Sequence, residues 1–443
     1  MTYYLKQRGV VIPIVVIGLL AMLAVAGLAI DGSHALANKT RAQNTVDAAA
    51  LAAAKVLDET GGDIAPATAA ANSLFSINAD AAGNHELNRA YDAGDITVTV
   101  QYSTTVNPFI PGAPAGPFVR VIATGFDTAT TLSRVLSIND ISTPATAVAG
   151  PSGPLGSGEG ANVCDIAPIA VCNGDNKGAD AVPPFGFVTE SLTVLKPGPG
   201  NHGDIGPGNY KMLRLGCNGG SCLRHNLAGS YDDCQTVGDY VETEPGVSSG
   251  PTSQGFNTRF GIYQGGGMNS EDYPPDRVTT EQDPDILKAC EDDSVDPPVD
   301  HIYMTSAPGK NYCKHYDPVD VPWVNDEVLV ADDINYSYDE WYYDSLPPNT
   351  FPADSKKNRR VLAFPVVECT GNQNGQSSLK VLGFTCLFML QSLPSGQNDG
   401  GGKIIGEFID SCEVNGTAGN NPPGANPLLY KIQLYKNADS RDS

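Results

Sequence analysis

The run "VVIPIVVIGLLAMLAVAGLAI", residues 10–30, carries 21 residues without a charge and passes with no turn signal into a polar, alanine-rich stretch. At about 1.5 Å per residue a helix of that length rises about 31 Å, the thickness of a bilayer's hydrocarbon core. Lys6 and Arg8 precede the run and Asp31 follows it. The positive-inside rule therefore predicts a short cytoplasmic N-terminus (1–9), a transmembrane helix (10–30) and everything after Asp31 outside. A cleaved signal peptide needs an apolar core of about 7–15 residues and a small-residue cut site. The one A-x-A candidate, Ala35-Leu36-Ala37, falls inside a continuing helical pattern, so the run reads as a retained anchor.

Beyond Asp31 the helix is predicted to continue over 31–60. "DAAALAAAKVL" holds the best helix formers, and Gly61-Gly62 supplies the stop. Leu36, Val46, Ala50, Leu51, Ala54 and Leu57 make a thin stripe of mostly small side chains, which permits close approach of another helix or sheet. Packing on the chain's own domain and packing in an intermolecular bundle both satisfy that stripe.

Residues 61–149 read as a small α+β region. "DITVTVQYST" (95–104) and "FVRVIATGF" (118–126) alternate as half-buried strands do, and "DISTPATAVAG" (140–150) adds a third. "GPSGPLGSGEG" (150–160) has linker composition. The remainder, 161–443, reads as an acidic, Cys-rich β domain. Strands are expected within 185–196, 359–369, 378–390, 402–412 and 428–436, the last four in one antiparallel sheet, with short helices at 283–291 and 338–346. The fold class is thus α+β: a long N-terminal transmembrane and amphipathic helix, a small antiparallel sheet, then a disulfide-rich, mainly antiparallel β domain.

The first part of the chain resembles the N-terminus of TadE/TadG-like proteins of Flp (tight-adherence) pilus systems. The residues that carry the resemblance are Gly27, Leu28, Ala29 and Asp31 closing the apolar span, then Gln43, Asp47 and Ala48–Ala54. The resemblance implies a single-pass, membrane-anchored structural protein that acts by anchoring and protein–protein contact. Its partners would be the inner membrane and other pilus or assembly-system proteins, with self-assembly as a pilin-like filament or tip subunit an alternative. It implies a bacterial inner-membrane location with a periplasmic or extracellular C-terminal domain, or a place at the cell surface. Type IV pilins are cut after a glycine and usually carry Glu five residues on. After Gly9 that place holds Ile14, so the resemblance favours the uncleaved, TadG-like branch. The Asp-x-Ser-x-Ser metal motif of von Willebrand A domains, present in some relatives, does not occur here.

Charge narrows the partners. The formal net charge is −23, and residues 1–41 are themselves net positive, so the exported part is strongly acidic. Such a surface repels phosphate backbones, which excludes nucleic acid as a partner. Its ten cysteines, Cys164, Cys172, Cys217, Cys222, Cys234, Cys290, Cys313, Cys369, Cys386 and Cys412, form no C-x-x-C pair. An even number behind an export-type N-terminus reads as a disulfide framework. Local pairings, Cys164 with Cys172 and Cys290 with Cys313, are the expectation.

Motifs for chemistry fail on context. "GPGNHG" (198–203) is followed by "DIGPGNY", which cannot open a phosphate-binding helix. "GVSSG" (246–250) is flanked by Pro245 and Pro251 and reads as a loop rather than a nucleophile elbow around Ser248. His301 and His315 follow downstream with no motif to frame them. No catalytic, cofactor-binding or metal residue is assigned, and the chain reads as a non-enzyme. Structural calcium at "CEDDSVDPPVD" (290–300) or Asp332-Asp333, in an exported adhesin or binding module, is the alternative. The aromatic cluster "YSYDEWYYDSL" (336–346) reads as a partly buried patch.

Overall fold

Helix α1 (Val11–Glu59) fills the whole apolar-to-polar stretch without interruption in a computed structural model of the chain. The structure describes residues 11–112, 116–153, 155, 159–173, 178, 184–196, 205, 209–246, 248–292, 299–304, 329–346, 349–394, 403–417 and 429–436. The chain divides into two units, 1–151 with 432–443, and 152–431.

The polar half of α1 builds the core of the first unit. Ala42, Val46, Ala49, Ala50, Ala53, Ala54 and Leu57 are buried against α2 (Ile64–Ala79) and a four-stranded sheet. On α2 the inward residues recur every fourth position, Ala67, Ala71, Phe75 and Ala79, which keeps the two helices close. Asp63 caps α2 by accepting the Ala65 amide at 3.0 Å. Helix α3 (His85–Asp92) adds Leu87 to the same core. Strands β1 (Thr97–Ser103), β2 (Phe118–Thr124) and β5 (Ala145–Pro151) pair antiparallel in that order. Between them β3 (Asp127–Ala129) and β4 (Asp140–Ser142) form a hairpin that encloses a 3-10 turn, Ser133–Leu136.

The fourth strand of this sheet comes from far along the chain. Residues 428–436 were expected in the Cys-rich sheet, yet Ile432–Tyr435 pairs antiparallel with Val148–Pro151 of β5. The Tyr435 hydroxyl donates to the Pro151 carbonyl, and its ring packs edge-on against Phe118 at 5.6 Å. Strand pairing is decided by non-local partners, to which local composition is blind. The 150–160 stretch also departs from a free linker. Gly150 and Pro151 close β5, and Leu155 is buried, its amide donating to the Leu429 carbonyl at 2.8 Å.

The second unit is mainly antiparallel. Its small strands are β6 (Asn162–Cys164), β7 (Val171–Cys172), β8 (Leu192–Lys196), β9 (Cys234–Thr236) and β10 (Tyr240–Glu242). A further pair is β11 (Leu287–Asp292) with β12 (Val299–Met304). The 283–291 segment was expected to be helical, and the cross-strand partner 299–304 overrides that local preference. The central sheet runs β7, β13 (Val361–Val367), β14 (Ser378–Met389), β15 (Ile404–Phe408), β8, with β10 on the first part of β14 and β7 parallel to β13. Strands β16 (Cys412–Glu413) and β17 (Leu429–Tyr430) form a short parallel pair. Helices α4 (Gly219–Leu227) and α5 (Ser249–Phe256) pack together, and α6 (Tyr338–Asp344) covers the core with Trp341.

Topology also decides the disulfides. Register places Cys164 directly opposite Cys234 and the two are bonded, which overturns the expected Cys164–Cys172 bridge. Cys172 instead bonds Cys369, because parallel β7 runs beside the end of β13. Cys217–Cys222 and Cys386–Cys412 complete those seen among the described residues. The expected Cys290–Cys313 pairing lies outside the described residues.

Candidate functional site

The inward stripe of α1 does not begin at the end of the apolar run but one turn inside it. Gly27, Asp31, Ala35, Asn38, Ala42 and Val46 follow one another at helical spacing, and all are buried. Before Gly27, by contrast, the large side chains are open: Ile12 is 72 % exposed and Met22 76 %. The most apolar 18-residue window of this helix has a mean hydropathy of 2.7. A surface of that kind is tolerated only against lipid or another protein.

Gly27 and Asp31 are explained by a single contact. The Asp31 carboxylate accepts the backbone amides of Thr131 and Leu132 at 3.0 Å each and of Ser133 at 2.6 Å. These amides, Ser133's foremost, hold the Asp31 carboxyl below the usual carboxylate range although the side chain is buried. One turn earlier, a Cβ on Gly27 would lie 3.0 Å from the Leu132 Cβ and 3.1 Å from the Ser133 nitrogen. The absence of a side chain at 27 is what lets the 131–133 backbone come close enough for position 31 to bind it.

Gln43 and Asp47 serve the same unit. The Gln43 amide nitrogen donates to Asp47 at 2.8 Å and to the Thr146 carbonyl of β5 at 2.9 Å. Partial burial pushes the Asp47 carboxyl up. Leu28 and Ala29 point away from the core and are exposed. Of the two readings of the stripe, the intramolecular one holds for Val46, Ala50, Ala54 and Leu57, which are covered by α2 and the sheet, while Leu51 is half-buried and Leu36 is exposed.

Sequence reasoning missed Asn38 and the 131–133 loop. Asn38 is buried and donates to Glu86 at 2.6 Å and to the Thr128 hydroxyl at 3.1 Å. Its position seven residues after Asp31, on the same helical face, was the available signal. Nothing local marks 131–133 as the partner of a residue a hundred positions earlier.

The pH dependence of this latch has a defined sign. A carboxyl whose folded pKa lies below its unfolded value, about 3.9, stabilises the fold above that pH and loses the contribution as pH falls through the folded pKa. Asp31→Asn is therefore expected to lower the melting temperature at pH 7, with the gap to the unaltered protein shrinking below about pH 4. A gap that widened towards acid would contradict the latch.

Ser248 is the residue before α5, with φ 44°, and its carbonyl accepts the Thr252 amide at 2.9 Å. Ser249 and Gly250 thus open a helix, contrary to the loop reading, because Pro251 falls in the first turn, where no amide is needed. The G-x-G-x-x-G stretch, His315 and the 290–300 side chains, Asp300 excepted, lie outside the described residues; His301 sits on β12. Asp333 accepts the Val330 amide at 3.0 Å, a local turn contact. Among the described residues no group of three His, Cys, Asp or Glu side chains could hold a metal.

In the aromatic cluster Trp341 and Tyr336 are buried while Tyr343 is 70 % exposed, as expected for a partly buried patch. Burial raises the Glu407 carboxyl to about 7; it accepts the Tyr338 amide at 2.8 Å and so holds the start of α6. A cavity of 330 Å³ beside β7 and β8 is lined by Val171, Phe187, Thr193, Leu195, Lys211 and Phe408 among others.

Residues 9–56 match the family model described as "Putative Flp pilus-assembly TadE/G-like". The match covers the apolar run, Gly27, Asp31, Gln43, Asp47 and the alanine seam, and so falls on the long helix. No curated protein and no solved structure matches the chain.

Proposed function

Taking the pilus-assembly match of residues 9–56 as premise, we propose that this chain is a single-pass, membrane-anchored structural protein of a Flp/Tad-type pilus or surface-assembly system. It acts by anchoring and by protein–protein contact rather than by chemistry. The observation that carries this reading is that one unbroken helix is bare and apolar up to Ala26 and then locked into its own folded unit from Gly27 onward. A helix whose stretch before Gly27 is open among the described residues, and whose remainder is built into the domain core, is a rigid tether. The inner membrane holds the first half, and the Cys-rich acidic unit lies on the far side, where disulfides persist.

Intact-mass and N-terminal peptide mapping of the native protein from fractionated cells tests this. The expected result is a chain beginning at Met1, in the inner-membrane fraction, resistant to carbonate extraction. A chain beginning at Val10 in sheared surface material would make it a filament subunit instead. A start near Asn38 would remove the tether altogether.

A further inference from the structure

We propose that the 131–138 loop is a second membrane contact, a shallow wedge that lies in the outer headgroup layer beside the anchor helix. The proposal deepens the anchoring function and rests on the reading of residues 10–30 as a membrane span.

Depth is the first argument. The loop backbone touches α1 at Gly27, four residues before Asp31, which on a helix is about 6 Å towards the bilayer centre. If Asp31 marks the outer edge of the hydrocarbon, the residues packed on Gly27 lie within the ~5–10 Å that interfacial segments occupy. Leu132 and Ser133 are held there by the three amide bonds to Asp31.

Side-chain chemistry is the second. Val135 (56 % exposed), Leu136 (44 %) and Ile138 (37 %) project outward from this turn, and Arg134 is exposed among them. Three bare apolar side chains with one cation suit an acyl–phosphate boundary and are unfavourable in water.

Backbone bonding is the third. At the acyl edge of that layer water is scarce, so irregular chain whose polar groups are already bonded internally enters it at lower cost. The Thr131, Leu132 and Ser133 amides go to Asp31, Val135 donates to the Leu132 carbonyl, Ser137 to Arg134, Ile138 to Ser133, and Thr130 to Asn139. Asp31 therefore has two consequences at once: it ends the span, and it removes from solvent the three amides that would otherwise keep the loop in water.

The test uses the full chain reconstituted into phosphatidylcholine–phosphatidylglycerol vesicles whose acyl chains are brominated near the headgroup. Leu136→Trp and, separately, Met22→Trp are compared with the unaltered protein, whose own tryptophan signal is subtracted. Both replaced side chains are exposed, so neither change disturbs the folded unit. The expected result is loss of the added fluorescence for Leu136→Trp in shallow-brominated vesicles, with a blue-shifted emission. Quenching of Met22→Trp by deeply brominated lipid, with no quenching of Leu136→Trp at either depth, would leave the span and overturn the wedge. A blue shift without quenching would overturn it too, in favour of a protein neighbour. No quenching of either variant would overturn both the wedge and the anchor.

Discussion

Replacing Arg360 with alanine is expected to cost the second unit about 3–5 kcal/mol, the range seen when one partner of a buried charged set is removed. Arg360 is fully buried, and its guanidinium donates to the carbonyls of Met389 and Leu390 at 2.9 Å and of Val278 and Thr280. It lies over the rings of Phe388 and Phe260 at 4.5 and 4.6 Å. Its own backbone amide donates to buried Asp276, which also accepts from Trp341 Nε1 at 2.9 Å and the Val278 amide. Burial lowers the Arg360 pKa to about 10, which still leaves it charged at neutral pH. Truncation would leave several carbonyls without a donor and remove one of the cations that act on Asp276. Arg360→Lys should not restore stability, because a single ammonium cannot span carbonyls arranged for a planar fork. Hydrogen exchange in the full chain would read the effect as lost protection within 152–431 while α1 and α2 stay protected. Unaltered protection in that stretch would mean the guanidinium is solvated.

Phe75→Ala is expected to do comparable damage to the first unit, about 3–5 kcal/mol. Phe75 has no exposed surface, and its ring lies 5.1 Å from that of Tyr91. Along α2 the other buried positions are Ala67, Ala71 and Ala79, and the facing helix presents Ala49, Ala50, Ala53 and Ala54. Alanines have no side chain to swing into the space a lost ring leaves, so the site collapses poorly and the cost falls in the upper part of the range. Phe75→Leu should lose much less, because it keeps most of the volume. Thermal unfolding of the membrane-reconstituted protein, followed by exchange at α1 residues 42–57, separates these outcomes. If Phe75→Ala left α1 as protected as before, the core assigned here to α1 and α2 would be wrong.

Position by position, what could be read in advance depended on whether the relevant partner was local. Alternation in 95–104 and 118–126 marked β1 and β2 because one face of each turns inward whatever its neighbour, and alanine content with the Gly61-Gly62 stop marked the polar half of α1. By the same logic 338–346 declared α6, whose Ser337 amide donates to Glu340 at 2.7 Å within one turn. The failures share a cause. Leu287–Asp292 is a strand only because 299–304 pairs with it, Ile432–Tyr435 joins β5 across more than 280 positions, and Cys164 bonds Cys234 rather than its neighbour Cys172.

The candidate site divides in the same way. A charge-free run of membrane length, its flanking charges and the spacing of Gly27, Asp31, Gln43 and Asp47 are properties of the chain itself, since hydrophobic length and helical period need no other residue to be defined. Why Gly27 has no side chain and why Asp31 ends the run became physical only in three dimensions. The answer is a loop a hundred residues away, whose amides need an acceptor and whose backbone needs the room. Contacts at that separation are selected by the whole fold, and no local stretch encodes them.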